Sequence, residues 1–247
     1  QEIVHSLKRT RQPAILLKLD FEKAFDSIEH SVIFEIMKYK GFNKKWIGWI
    51  RELLPTVSSS VFLNGVPRKQ FLCQKGVRQG DPASPMLFNL VADVFSRMLN
   101  KAAKNNLLTG MMSNIFPQGI ISLQYADDTV ICFEHDIDKA VNVKLLHYLF
   151  ELMSGLKINF DKSEIIVIGG DNDTDAVYAK MFGCQVGSLP MKYLGTPISY
   201  STLKNIELDF LDAKMIKKLD AWIAYAASSG ARLTLLGSSL DGIPSYL

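Results

Sequence analysis

Tyr125-Ala126-Asp127-Asp128 separates two apolar runs, Ile121 to Leu123 and Val130 to Phe133. Two adjacent carboxylates between buried strands are costly unless the chain turns sharply and keeps them in water or on a cation. The pattern therefore predicts a β-hairpin with both carboxylates at its tip. Such a tip offers two oxygen ligands at one point, which suits magnesium ions that act on phosphates.

A third carboxylate, Asp20, ends a second predicted strand, which runs from Ile15 to Leu19. Taken alone, Asp20 is a solvated strand end and Asp127-Asp128 is a polar hairpin tip. If the two strands are neighbours in one sheet, however, three carboxylates that are remote along the chain converge. Carboxylates that close repel each other, so they either share a proton or hold a cation.

The rest of the chain alternates between apolar patterns of helical and of strand spacing. Four helices are predicted: one capped by Asp26 and ending at Gly41, one from Asn43 to Pro55, one from Pro85 to Lys104, and one from Asp138 to Ser154. On the last helix, the residues expected to face inward are Val141, Leu145, Leu149 and Leu152. A hairpin is predicted around Asn64-Gly65, and further strands over Lys157 to Phe160, Glu164 to Ile168 and Lys192 to Pro197.

This order of elements predicts an α+β fold with an antiparallel sheet and helices packed on one face. We expect a main domain over residues 1–200 and a helical segment over residues 201–247. The chain has 247 residues, 48% of them hydrophobic, and a net charge of +3. This charge permits a nucleic-acid partner without requiring one.

The three cysteines, Cys73, Cys132 and Cys184, are far apart, and no C-x-x-C spacing occurs. The sequence therefore predicts no disulfide partner and no structural zinc site. A reducing environment follows as the default, hence an intracellular location, nuclear or cytoplasmic. Residues 105–126 carry no charge, but polar residues and Pro117 interrupt them, so we predict no membrane span.

Three further features are candidates for chemistry. The loop Gly76 to Pro85 is rich in Gly and Pro, and its Arg78 and Gln79 can hydrogen-bond bases and phosphates. Lys162 is either a solvated turn residue or a cation that assists a departing pyrophosphate. Phe25, taken alone, is a core aromatic residue.

Taken together, these motifs resemble the reverse transcriptases of non-LTR (LINE-type) retrotransposons. The resemblance covers roughly Leu17 to Tyr246, and its motifs occur in family order: Leu17 to Asp26, Gln79 to Pro85, Tyr125 to Asp128, Gly155 to Asn159 with Lys162 to Glu164, and Tyr193 to Pro197. The stretches Gly230 to Leu235 and Ile243 to Tyr246 resemble the thumb of plant elements of this kind.

The resemblance implies a polymerase palm with a remnant of the fingers over residues 1–200, followed by a partial helical thumb. It implies that Asp20, Asp127, Asp128 and the backbone carbonyl of Phe21 bind two Mg²⁺ ions, with Mn²⁺ as a possible substitute. Lys162 would assist the leaving group. The implied partners are an RNA template, a DNA primer and deoxynucleoside triphosphates.

The resemblance also assigns binding roles. Phe25 would lie under the sugar and disfavour a 2′-hydroxyl. The implied nucleotide- and template-binding loop consists of Arg78, Gln79, Gly80, Asp81 and Pro82, and the implied primer grip of Tyr193, Leu194 and Gly195.

Two alternatives stay open at this point. One is an inactive relic, or an RNA-binding module that kept the palm, because the fingers expected before Gln1 are largely missing. The other is a related polymerase, either of the intron-maturase type or an RNA-dependent RNA polymerase, although Phe25 argues against ribonucleotide substrates.

Overall fold

Strand β1 (Ala14–Leu19) is the central strand of a sheet, because its run of aliphatic residues suits burial on both faces. The other strands are β2 (Ser58–Ser59), β3 (Phe62–Leu63), β4 (Val66–Pro67), β5 (Phe71–Leu72), β6 (Ser122–Tyr125), β7 (Asp128–Glu134), β8 (Glu164–Ile168), β9 (Gln185–Val186), β10 (Met191–Tyr193) and β11 (Thr196–Ile198). The computed structural model describes residues 2–54, 58–113, 115–116, 119–169 and 172–199, with the isolated positions 216, 228, 230, 233 and 234.

Five strands form the main sheet in the order β6-β7-β1-β8-β9. All neighbours in it are antiparallel except β8 and β9, which are parallel. The predicted class, α+β with an antiparallel sheet, is confirmed. The predicted neighbourhood of the two acidic strand ends is confirmed as well, since β7 pairs directly with β1.

The helices of the described residues are α1 (Glu2–Thr10), α2 (Ala24–Ser27), α3 (His30–Tyr39), α4 (Lys44–Leu53), α5 (Ser84–Lys104), α6 (Ile137–Ser154) and α7 (Asn172–Phe182). Helix α5 buries Phe88, Val91 and Phe95 in the same core that receives Ile15 and Leu17 of β1. The core thus joins the longest helix to the central strand, and both lead toward the acidic residues.

The chain forms two compact units. The first, Arg9–Gly187, contains the main sheet, and the second comprises the described residues among positions 1–8 and 188–247. The predicted division into 1–200 and 201–247 stays a prediction, because residues 201–247 lie almost wholly outside the described residues.

The hairpin predicted around Asn64-Gly65 is present. β2 pairs with β5 and β3 with β4, and both turn residues have positive φ, 52° and 79°. Positive φ at both central positions is the requirement of the tightest hairpin turn, which explains the Asn-Gly pair.

Three local predictions were wrong. Asp26 does not cap the following helix: it lies within α2, and α3 begins after Glu29, which makes no side-chain cap. Residues 157–160 form no strand, only a single bridge between Ile158 and Phe21. On α6 the predicted inward set is exposed, and the buried residues are Ala140, Val143, His147, Phe150 and Ser154. Because α6 is apolar on nearly every side, its sequence does not single out the face that packs.

Candidate active site

The tip of the β6–β7 hairpin carries the acidic pair. Tyr125 pairs with Asp128, so Ala126 and Asp127 alone form the turn. Ala126 has a φ of 52°, in the left-handed region that residues with a Cβ rarely occupy. Asp127 and Asp128 are both exposed. The tight turn therefore presents two neighbouring carboxylates to solvent at the end of a buried strand.

Asp20 lies beside this tip. Leu19 pairs with Thr129 in the β1–β7 ladder, so the next residues, Asp20 and Asp128, occupy neighbouring positions. Facing residues on antiparallel strands have Cα atoms about 4.5–5.5 Å apart and side chains on the same face. The topology thus brings Asp20 next to Asp128, as the sequence predicted.

Hydrogen bonds with residues next to β8, on the side of β1 away from β7, fix the backbone of Asp20. Its amide donates to the hydroxyl of Ser163 (3.1 Å), and its carbonyl accepts from the amide of Asn159 (2.8 Å). Ser163 is fully buried, and its hydroxyl donates in turn to the carbonyl of Asn159 (2.8 Å). These bonds fix the position from which the Asp20 carboxylate extends.

The charges of the three carboxylates act on one another. Burial raises the pKa of Asp128, and the negative charges of Asp127 and Asp20 raise it further, whereas Lys18 lowers it. A carboxylate whose pKa is raised by like charges gains most from a bound cation. In the part of the chain that the structure describes, no three acidic, His or Cys side chains are gathered closely enough to hold a metal ion as they stand.

The donor set nevertheless fits a divalent hard cation. All three side chains are carboxylates, the ligands that Mg²⁺ prefers. They lie at the neighbouring ends of β1 and β7, where Asp127 and Asp128 are exposed. A bound divalent cation would offset the repulsion among their negative charges.

Phe25 connects the segment after Asp20 to the loop Gly76 to Pro85. Its carbonyl accepts from the amide of Val77 (2.6 Å), and the amide of Gly76 donates to the carbonyl of Ile28 (2.7 Å). The ring of Phe25 stacks on Phe88 of α5, with centroids 4.9 Å apart. The loop and the segment after Asp20 are therefore joined by backbone hydrogen bonds.

A cleft of 640 Å³ opens beside the hairpin tip. Phe25, Pro85 and Phe88 line one part of it, and Tyr125 and Ala126 another. The half-buried ring that the resemblance places under a sugar thus shares a cleft with the residues that precede the acidic pair. A cleft of this size accommodates a small molecule such as a nucleotide.

The remaining predicted loop residues lie on the surface. Arg78, Gln79, Gly80 and Pro82 are exposed, and none of them lines the cleft. Asp81 is partly buried, and its carboxylate accepts from the amide of Ala83 (2.8 Å), which closes the turn into α5. The structure therefore shows a local structural role for Asp81 in its own loop.

The other two predicted sites are turns of the chain. Lys162 is exposed in the turn that follows Asn159, to whose carbonyl its amide donates (3.2 Å). Tyr193, Leu194 and Gly195 form the tip of the β10–β11 hairpin in the second unit, with Leu194 and Gly195 at φ values of 50° and 81°.

Two residues of the site had no role in the sequence interpretation. Ser163 anchors the amide of Asp20, and nothing in the neighbouring sequence signals this contact, which spans 143 positions. Lys18, two residues before Asp20, carries the positive charge that partly offsets the carboxylates. Strand alternation places it on the same face as Asp20, which was readable from the sequence.

Comparison with known proteins bears on this geometry. The sequence profile of the family described as "Reverse transcriptase (RNA-dependent DNA polymerase)" matches residues 1–198. The chain belongs to this reverse transcriptase family. The predicted resemblance to the non-LTR retrotransposon enzymes is confirmed by relatives whose names are those of R2 elements.

One such relative is the retrovirus-related Pol polyprotein of the type-2 retrotransposable element R2DM from Drosophila melanogaster. It is 30% identical over 189 residues, which are 74% of this chain and 16% of the polyprotein. The Pol polyprotein of a type-1 R2 element from Popillia japonica is 30% identical over 123 residues, 50% of this chain and 19% of that protein. This reverse transcriptase chain thus spans less than a fifth of the length of these two relatives.

Solved structures agree at the level of the fold. Telomerase from Candida tropicalis in complex with a fragment of telomeric RNA is similar with a TM-score of 0.54 and 17% identity, over 82% of this chain and 31% of that one. Apo telomerase from the same organism, lacking its C-terminal domain, gives a TM-score of 0.53 and 19% identity, over 80% and 36%. These likenesses confirm the predicted polymerase-type palm. Of the helices that the structure describes, none combines the length and apolarity needed to cross a bilayer.

Proposed function

We propose that this reverse transcriptase chain is an RNA-directed DNA polymerase core, which adds deoxynucleotides to a primer 3′-hydroxyl along an RNA template. The observation that carries the proposal is the β1–β7 register, which sets Asp20 beside Asp128, next to a hairpin whose Tyr125 and Ala126 line a nucleotide-sized cleft. Family membership over residues 1–198 supports the reaction type.

Asp20, Asp127, Asp128 and the carbonyl of Phe21 are the groups that would hold two divalent ions, Mg²⁺ by preference and Mn²⁺ as an alternative. When bound, such ions activate the attacking hydroxyl and stabilise the charge on the leaving phosphate. The chain's own contribution is to hold the carboxylates: Ser163 and Asn159 fix Asp20, and the tight turn at Ala126 fixes the other two.

The family resemblance supports the binding roles that we propose. Phe25, braced on Phe88, would exclude a 2′-hydroxyl from the cleft. The exposed side chains of Arg78 and Gln79 would contact template or triphosphate, and Tyr193 to Gly195 would contact the primer strand. Exposed Lys162 would neutralise the departing pyrophosphate. For the whole protein we propose an intracellular location, in the nucleus or the cytoplasm.

The test is primer extension by the purified chain with an RNA template, deoxynucleotides and Mg²⁺. We expect extension by the unaltered chain and none by Asp127→Ala. Asp138→Ala, which removes an equally exposed carboxylate from the first turn of α6, serves as the matched control and should keep activity. Extension that survives in Asp127→Ala, or none by an unaltered chain that binds primer and template, would contradict the proposal.

Sugar selection has a separate test. Phe25→Ala should raise the ratio of ribonucleotide to deoxynucleotide incorporation, because it removes the ring that bounds the cleft. An unchanged ratio in an active Phe25→Ala variant would show that another residue makes the distinction.

A further inference from the structure

Helix α4 exposes a pair of tryptophans on its outer surface. The helix is anchored by Ile47 and Ile50, which are buried in the core. The side chains of Trp46 and Trp49, in contrast, are 44% and 53% exposed. Exposed tryptophans are rare in this chain: it has only three, and the third, Trp222, lies outside the described residues. Exposing two such large apolar rings side by side is costly in water unless something covers them.

The two rings form one unit. Their centroids are 5.7 Å apart and their planes meet at 68°, an edge-to-face contact that fixes each ring against the other. Lys45 lies over Trp49, with its ammonium 5.3 Å from the ring centroid. We call these three residues, Trp46, Trp49 and Lys45, the α4 platform.

The charge around the α4 platform is mainly positive. Helix α4 carries Lys44, Lys45 and Arg51 against a single acid, Glu52, which lies one turn beyond Trp49. Arg51 is directed toward Phe34, 5.0 Å from that ring, whereas Lys44 and Lys45 begin the helix and Lys45 lies over Trp49. Aromatic faces next to cations suit a polyanion with planar groups, since each base offers a face for stacking and each phosphate a negative charge.

We propose that the α4 platform binds single-stranded RNA, with bases stacked on Trp46 and Trp49 and a phosphate near Lys45. No residue of α4 lines the cleft beside the acidic hairpin, so this is a second contact surface for the strand. The inference deepens the proposed function and rests on it for the choice of RNA as the ligand.

The test uses the full chain and a short single-stranded uridine homopolymer, without primer, nucleotides or Mg²⁺. Stacking should quench the tryptophan fluorescence, and anisotropy of a labelled RNA should report the affinity. Each of Trp46→Ala and Trp49→Ala should weaken binding by about fivefold or more, the loss expected for one stacked base. Trp49→Phe should retain most of the affinity.

Two charge-reversal variants test the contribution of Lys45 to RNA binding. Lys45→Glu should weaken binding and flatten its dependence on salt, because one phosphate contact is lost. Lys180→Glu makes the same change of net charge at an exposed position of α7 and should leave the affinity unchanged. Circular dichroism of every variant checks that the fold is intact.

The outcomes separate this inference from the polymerase proposal. Folded tryptophan variants that bind RNA as tightly as the unaltered chain would overturn the inference. Asp127→Ala should bind RNA with unaltered quenching. An unaltered chain that binds RNA at the α4 platform but extends no primer counts against the polymerase proposal alone. An unaltered chain that extends primers, with tryptophan variants that bind RNA as tightly, counts against the α4 platform alone.

Discussion

Replacing Gly76 by alanine tests how tightly the loop before α5 is bound to the segment after Asp20. Gly76 has a φ of +85°, and a Cβ built on it would lie 2.7 Å from the carbonyl oxygen of Asp26 and 2.8 Å from its Cα. Ordinary Cβ contacts are 3.4 Å or longer. Since the obstructing atoms are backbone, they cannot turn aside as a side-chain end would.

Gly80, in the same loop, provides the control. Its φ is +86°, but a Cβ there meets nothing within 4 Å. Both substitutions therefore incur the cost of a left-handed residue, about 1–2 kcal/mol. Gly76→Ala adds the cost of forcing an atom into packed backbone, about 1–3 kcal/mol. We expect Gly80→Ala to destabilise the fold by about 1–2 kcal/mol and Gly76→Ala by about 2–5 kcal/mol.

Urea denaturation of both variants measures the difference, with the m-value checked for two-state behaviour. Gly76→Ala should also slow primer extension, since the bonds from Gly76 to Ile28 and from Val77 to Phe25 must lengthen. Equal destabilisation by the two substitutions would refute the close approach to Asp26 as the reason for glycine at this position.

Three further outcomes are expected. Burial lowers the pKa of His147 to about 3, so between about pH 6.5 and about pH 3 the unfolded chain binds a proton that the folded chain does not bind. The free energy of unfolding should therefore fall as the pH drops through this range. His147→Leu should abolish this dependence in urea melts at about pH 5 and about pH 7. Asp127→Asn should lower the pKa of Asp128 in an NMR titration, because one of its like charges disappears while its burial remains. Ser163→Ala should destabilise the fold by about 1–3 kcal/mol in urea melts, since the amide of Asp20 loses its acceptor, and should reduce extension.

Much of the site was predictable because it consists of local signals. The acidic pair between two apolar runs indicated the hairpin, and the strand before Asp20 was equally plain from its aliphatic residues. Their pairing required one further assumption, that both strands adjoin in a single sheet, and the motif order of the family supplied it. The Asn-Gly turn and the start of α4 near Asn43 were readable for the same reason, since each depends on one or two residues.

The features that the sequence did not reveal depend on contacts between residues that are far apart along the chain. Helices α1 and α7 and strand β9 were not predicted, because short segments with mixed composition become regular only against the elements that they pack on. The packed face of α6 was misassigned because apolar residues lie on nearly every side of that helix. Ser163 was quoted within a motif, but its bond to Asp20 spans 143 positions, and no local pattern encodes such a contact.

The sheet order has a mechanical consequence. Asp20 extends from a strand with neighbours on both sides, whereas the β6–β7 hairpin stands at the margin, with β6 bonded along one side only. The acidic pair lies at the start of β7, which pairs with β1 as well as with β6, so the margin of the sheet on this side is β6 alone. Amide protons of β1 and β7 should therefore exchange with deuterium far more slowly than those of β6, so that fraying at the margin leaves the spacing of the three carboxylates unchanged.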